Sequence, residues 1–164
     1  MKKILLLGIL IPFIAISQTD NKIEGLTINT PCELEYTRNL GNQNNYSCVL
    51  QKNDETIFQY SVTVQNLFEE MNKIQGKELQ SYKNSFLQAA RENATSNGES
   101  TESIILANGQ KALKIESYLT YSGNKFINTS IVFLYKQKSF VVNLTTNNLN
   151  SDAIKNLNGR IRIK

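Results

Sequence analysis

The most regular alternation of apolar and polar positions runs through residues 110–146. In residues 112–121, Leu113, Ile115, Leu119 and Tyr121 fall on one face with Ser117, while Ala112, Lys114, Glu116, Tyr118 and Thr120 fall on the other. A period of two is the signature of a half-buried strand. Ser122-Gly123-Asn124-Lys125 reads as a turn, because Gly and Asn tolerate positive φ. Beyond it, Ile127, Thr129, Ile131, Phe133 and Tyr135 alternate with Asn128, Ser130, Val132 and Leu134. After Lys136-Gln137-Lys138, the residues Phe140, Val142 and Leu144 alternate with Val141, Asn143 and Thr145. These connections are too short for a crossover, so the three strands are expected to be antiparallel neighbours.

The rest of the chain extends or covers that meander. Residues 33–39 and 46–51 read as a hairpin around a Gly- and Asn-rich loop, and 56–64 as a strand with Phe58, Tyr60, Val62 and Val64 on its buried face. The period then becomes helical: a short helix is expected in 66–74, and a longer one in 77–93 with Leu79, Tyr82, Phe86, Ala89 and Ala90 as its apolar stripe. Residues 102–107 read as another strand, and Asn108-Gly109 predicts a two-residue type I′ turn into the meander. A last short helix in 152–157 is capped by Ser151 or Asn150 and ended by Gly159, before the basic alternating tail 160–164. Strands segregated from helices predict an α+β fold: an antiparallel sheet of about six to seven strands, a main helix on one face and a short C-terminal helix. The expected domain spans 31–164. The polar residues 18–30 are expected to form a flexible N-terminal segment.

Lys2-Lys3, the apolar run 4–16 and the small residues Ala15 and Ser17 match a Sec-type signal peptide cleaved near Ser17/Gln18. The apolar run is shorter than the roughly 20 residues that span a bilayer, so no stable membrane span is expected after cleavage. No Cys follows it directly, which argues against a bacterial lipoprotein. The expected location is therefore the periplasm or the medium, where Cys32 and Cys48 can oxidise. A tight turn centred on Asn42 would leave Cys32 about 13 Å along the strand from its place opposite Cys48. A longer loop centred on Leu40 would put the two opposite each other. Both readings stand at this point, a disulfide or two buried free thiols. The net charge of +4 falls to +2 without Lys2 and Lys3, and the basic residues are dispersed, so nucleic acid is not an expected partner.

The order of strands and helices, with the stretch from Gly109-Gln110-Lys111-Ala112 through Phe140-Val141-Val142-Asn143 to the helix at Ala153, resembles the PsbP-like fold family. The resemblance lies in topology over about residues 33–157. It implies an accessory, chaperone or binding domain, and carries no catalytic or ligand motif.

The chain contains no His, which removes Ser-His-Asp, Cys-His and His-ligated metal chemistry. No catalytic, cofactor-binding or metal-binding residues are expected. The enzyme alternative is a carboxylate pair, with candidates Glu33 with Glu35, Asp54 with Glu55, and Glu69 with Glu70. A partner-binding patch is expected from Lys114, Glu116 and Tyr118 on one strand and Val132 and Leu134 on the next, if that face is uncovered. Arg160, Arg162 and Lys164 form a basic strip that suits a charged edge strand. Asn45, Asn93, Asn128 and Asn143 lie in glycosylation acceptor triplets. The expected function is that of an exported, non-catalytic accessory or binding protein contacting another envelope or secreted protein. Alternatives are a periplasmic immunity or inhibitor protein against a toxin or hydrolase, and a His-free carboxylate enzyme.

Overall fold

A computed structural model describes residues 18–52 and 56–163. The expected signal peptide and the acidic pair Asp54 and Glu55 lie outside the described residues. The fold is α+β and dominated by strands. Among the described residues ten of them run in chain order: β1 (Thr19–Ile23), β2 (Leu26–Thr30), β3 (Glu35–Leu40), β4 (Gln43–Lys52), β5 (Thr56–Asn66), β6 (Ser100–Ile105), β7 (Lys111–Tyr121), β8 (Asn124–Tyr135), β9 (Lys138–Thr146) and β10 (Ile161–Ile163). A short helix α1 (Phe68–Met71) and the long helix α2 (Gly76–Ser96) separate β5 from β6, and α3 (Asp152–Lys155) precedes β10. Strands β3 to β9 form a seven-stranded antiparallel sheet in the order β3-β4-β5-β9-β8-β7-β6. A second sheet has the order β1-β2-β10.

The registers sort the large sheet into two unlike faces. Tyr46, Val62, Val142, Ile131 and Lys114 form one cross-strand row. On that face Phe58, Tyr60, Val64, Phe133, Phe140 and Leu144 join the main core, and Phe133 stacks on Phe140 with ring centroids 5.1 Å apart. The small sheet covers it with Ile23, Leu26, Ile28 and Ile161, and α3 adds Ile154. On the opposite face, Ser47, Ser61, Asn143, Ser130 and Ile115 form the neighbouring row. Helix α2 lies over the β6-β7-β8 end of this face, and its Leu79, Tyr82 and Phe86 pack with Leu67, Met71 and Leu134. Of the expected apolar stripe, Ala89 remains exposed, and the only fully buried α2 residue is Ala94. Both faces are therefore covered in part, rather than one by a helix alone.

Residues 19–30 are not a loose segment. They form the β1–β2 hairpin, whose Glu24-Gly25 turn has positive φ at both positions and matches type I′. The polar side chains that made this stretch look flexible are satisfied inside the protein. Asn21 is buried, donates from Nδ2 to Thr30 Oγ1 (2.7 Å), and accepts from Leu34 N at Oδ1 (2.7 Å). The Glu24 carboxylate ties this turn to the large sheet: Lys138 Nζ lies 2.8 Å from Oε2, and Asn44 Nδ2 and Tyr46 OH donate to Oε1 at 2.7 and 3.3 Å.

One turn also differs from expectation. Asn108-Gly109 is not a two-residue type I′ turn, since only Gly109 has positive φ; Gly109 N donates to Leu106 O and Leu106 N to Gln110 O, giving a longer loop with Gly109 at its left-handed position. At the other hairpin Ser122 and Gly123 both have positive φ, which makes this one type I′. Cys32 and Cys48 form a disulfide with Cα atoms 6.1 Å apart, although the β3–β4 turn is the tight one at Gly41-Asn42. The ladder starts only at Glu35, paired with Ser47, and residues 31–34 bend away from the strand direction, so Cys32 returns to β4 instead of continuing along it.

Candidate functional site

The five residues expected to form one patch do not share a surface. The Ser122-Gly123 turn pairs Tyr121 with Asn124, so every odd position of β7 opposes an even position of β8, and Leu113 faces Val132. Val132 and Leu134 therefore belong to the Leu113 face, where they are 7% and 2% exposed; Leu134 packs with Leu67 and Met71 of the α1 region. Lys114 and Glu116 lie on the main-core face, half-buried and ion-paired at 2.7 Å. The expected grouping matched faces by how apolar they looked, whereas the two-residue turn sets the parity.

Tyr118 belongs to a different feature. The last β6 pairing is Ser100 with Glu116, and the last β9 pairing with β8 is Thr146 with Ile127. Past these points β7 and β8 continue alone as a two-stranded ribbon from Ser117 to Phe126. Five residues beyond Glu116 carry it about 17 Å past the β6 boundary at 3.3–3.4 Å per residue. Tyr118 is 72%, Leu119 51% and Tyr121 75% exposed, with Phe126 half-buried opposite Leu119. Leu119, Tyr121 and Phe126 share one side of the ribbon and Tyr118 the other. A two-stranded ribbon is marginal alone in water, and three large apolar side chains on it lack protein neighbours sufficient to bury them. The strand lengths carried the signal: β7 and β8 have 11 and 12 residues, against 6 in β6 and 9 in β9.

The uncovered part of the polar face is uncharged across its centre. Ser130 Oγ donates to Asn143 Oδ1 (2.6 Å), Asn143 Nδ2 to Ser61 Oγ (3.2 Å), and Thr145 Oγ1 to Asn128 Oδ1 (2.9 Å). Three of the four acceptor-triplet asparagines, Asn45, Asn128 and Asn143, are engaged in such bonds, and Asn93 is exposed on α2. The carboxylates are dispersed. Glu33, Glu35, Glu69 and Glu70 are all exposed, and among the described residues no three His, Cys, Asp or Glu side chains group closely enough to hold a metal ion. In the basic tail, Ile161 is buried while β10 pairs with β2 at the edge of the small sheet. Among the described residues no helix is long and apolar enough to cross a membrane.

No family model matches the chain, and no curated protein matches its sequence. Among solved structures, the chain is similar to a crystal structure from Bacteroides thetaiotaomicron VPI-5482 at 1.50 Å resolution, with a TM-score of 0.45 and 10% identity. The similarity covers 85% of this chain and 45% of that one, so this chain spans less than half of that protein's length.

Proposed function

We propose that this chain is an exported, non-catalytic binding protein that contacts another protein of the bacterial envelope through the β7–β8 ribbon. The observation that carries the reading is the projection of Tyr118, Leu119 and Tyr121 beyond the last paired rungs of β6 and β9. Exposed tyrosines supply large contact area at small side-chain entropic cost, and aromatic residues dominate the centres of protein interfaces. The Cys32–Cys48 bond is compatible with an oxidising compartment. The strand and helix order that resembles the PsbP-like family fits an accessory role. A second reading, an immunity or inhibitor protein against a toxin or hydrolase, is favoured by the same projection, because a narrow ribbon suits a concave partner site.

The test is site-specific photo-crosslinking in the native envelope, with the photoreactive residue placed at Tyr121 and, as control, at Gln88 on the exposed side of α2. The reading expects one discrete protein adduct at Tyr121, absent at Gln88 and lost with Leu119→Asp. Equal adduct patterns at both positions overturn it. Identification of the adduct as a hydrolase or toxin that this protein inhibits decides for the second reading.

A further inference from the structure

At the end of the molecule where the ribbon begins, a cleft of about 560 Å³ opens between the large sheet, the small sheet and α3. Its size falls within the range of small-molecule sites, roughly 300–1,000 Å³. The floor is apolar, from Leu50 of β4 and Phe58 of β5. Tyr60 lines the cleft with its ring buried. Arg160 enters from the turn Asn158–Arg160 that precedes β10, with Nη1 donating to Asn29 O at 3.3 Å. No carboxylate pairs with this guanidinium among the described residues, and its buried Nε has no acceptor. Lys52 stands at the mouth, its ammonium 5.8 Å from the centre of the Phe58 ring. Among the described residues, the one carboxylate lining the cleft is Asp152, which is well exposed and lies 3.5 Å from Lys155.

Two cations and a phenolic O–H thus converge on a half-enclosed space with an aromatic floor. A guanidinium without an ion pair among the described residues favours an anionic acceptor, and a carboxylate or phosphate can accept from the Nη donors that Asn29 does not occupy. A neutral acceptor would pair with those donors more weakly, and a cationic ligand would be repelled.

We propose that this cleft binds a small organic anion, a carboxylate or phosphate on an apolar or aromatic body, with Arg160 and Tyr60 holding the charged end, Lys52 closing over it, and Phe58 and Leu50 under the body. The site is independent of the ribbon reading: its residues lie on other strands and its occupant is not a protein.

Titration of the ¹⁵N-labelled protein with benzoate, phenyl phosphate and benzamide, followed by amide chemical shifts, tests it. Benzoate, phenyl phosphate or both move the signals of Phe58, Tyr60, Ala153 and Arg160 saturably, and whichever binds more tightly identifies the headgroup. Benzamide, neutral and of the same shape as benzoate, binds roughly tenfold more weakly. Arg160→Gln weakens the anion roughly tenfold and Lys52→Gln or Tyr60→Phe roughly threefold. Lys52→Gln changes an exposed side chain and Tyr60→Phe removes a single oxygen, so these two keep the test valid if Arg160→Gln unfolds. Benzamide binding as well as benzoate, shifts confined to other regions, no saturable shifts with either anion, or affinities unchanged in both Lys52→Gln and Tyr60→Phe overturn the proposal.

Discussion

Replacing Glu24 with Gln removes one charge from the junction of the two sheets and keeps the shape of the side chain. Glu24 sits at φ +49 in the β1–β2 turn, and Gln carries the same backbone strain there, so that contribution cancels. Glycine would not serve, because it would relieve about 1 kcal/mol of strain while deleting the contact. Burial alone raises the Glu24 carboxyl pKa. The hydrogen bonds from Lys138 and Asn44, the Lys138 charge and the Tyr46 hydroxyl together outweigh it and leave the group below its ordinary value.

A buried charge-assisted hydrogen bond contributes about 1.5–3 kcal/mol. Here the Lys138 side chain is 35% exposed and Glu24 22%, so solvent screens the pair and its share falls to about 1 kcal/mol. Glutamine still accepts from Asn44, so Glu24→Gln should cost about 1 kcal/mol at neutral pH, or roughly 2–4 °C in Tm. The sign of the pH dependence follows from the lowered pKa. Between the two pKa values the unfolded chain binds the proton more readily, so the stabilisation is fully present above the ordinary value of 4.5 and is lost as pH falls through the lower folded value. Urea midpoints measured from about pH 7 to about pH 3 should show the gap between native protein and variant closing in that acid window. A gap that is constant across the series, or absent at neutral pH, would refute the assignment of the carboxylate as the clamp.

Leu134→Ala should cost about 2–4 kcal/mol in urea unfolding, because Leu134 is 2% exposed beneath the α1 region, whereas Tyr118→Ala should stay within about 0.5 kcal/mol. Equal costs at the two positions would contradict the β7–β8 register. Replacing Cys32 and Cys48 together with Ser should cost about 3 kcal/mol, since the bond closes a loop of 16 residues in the unfolded chain, and thermal melts should fall by roughly 6–12 °C. An unchanged melting temperature would show that the bond constrains little.

The strands of the large sheet were legible because each carries its own alternation, and α2 because Leu79, Tyr82 and Phe86 repeat at helical spacing. What alternation leaves open is how the faces of neighbouring strands match. Residues 131–134 are all apolar, so β8 offers a buried side to both faces, and only the length of the Ser122-Gly123 turn decides which side meets Leu113. The β1–β2 hairpin was hidden for another reason. Asn21, Thr27 and Thr30 are polar but buried, and the Asn21 bonds that make this tolerable link residues far apart in the chain. Strand geometry carried through Pro31-Cys32-Glu33-Leu34 does not predict the disulfide, because the chain bends there. Candidate sites fared worse than strands, since a surface depends on parity and on strand ends at once, and neither is written in one segment.

The cross-strand register joins the two proposed sites. Leu50, Phe58, Thr146, Ile127 and Tyr118 form a single row from β4 to β7. The first two line the cleft and the last begins the ribbon, three strand spacings or about 14 Å from Phe58. The opposite end of the sheet is fastened: Glu24 bonds Lys138 and Asn44 there, and Leu67 N donates to Gln137 O as α1 begins. Held at one end and open at the other, the protein presents Arg160 and Lys52 of the cleft and Tyr118 of the ribbon at the same end of the sheet. The two proposed sites share an end of the sheet whose β7–β8 rungs lack neighbouring strands, and any coupling between them acts reciprocally on both affinities.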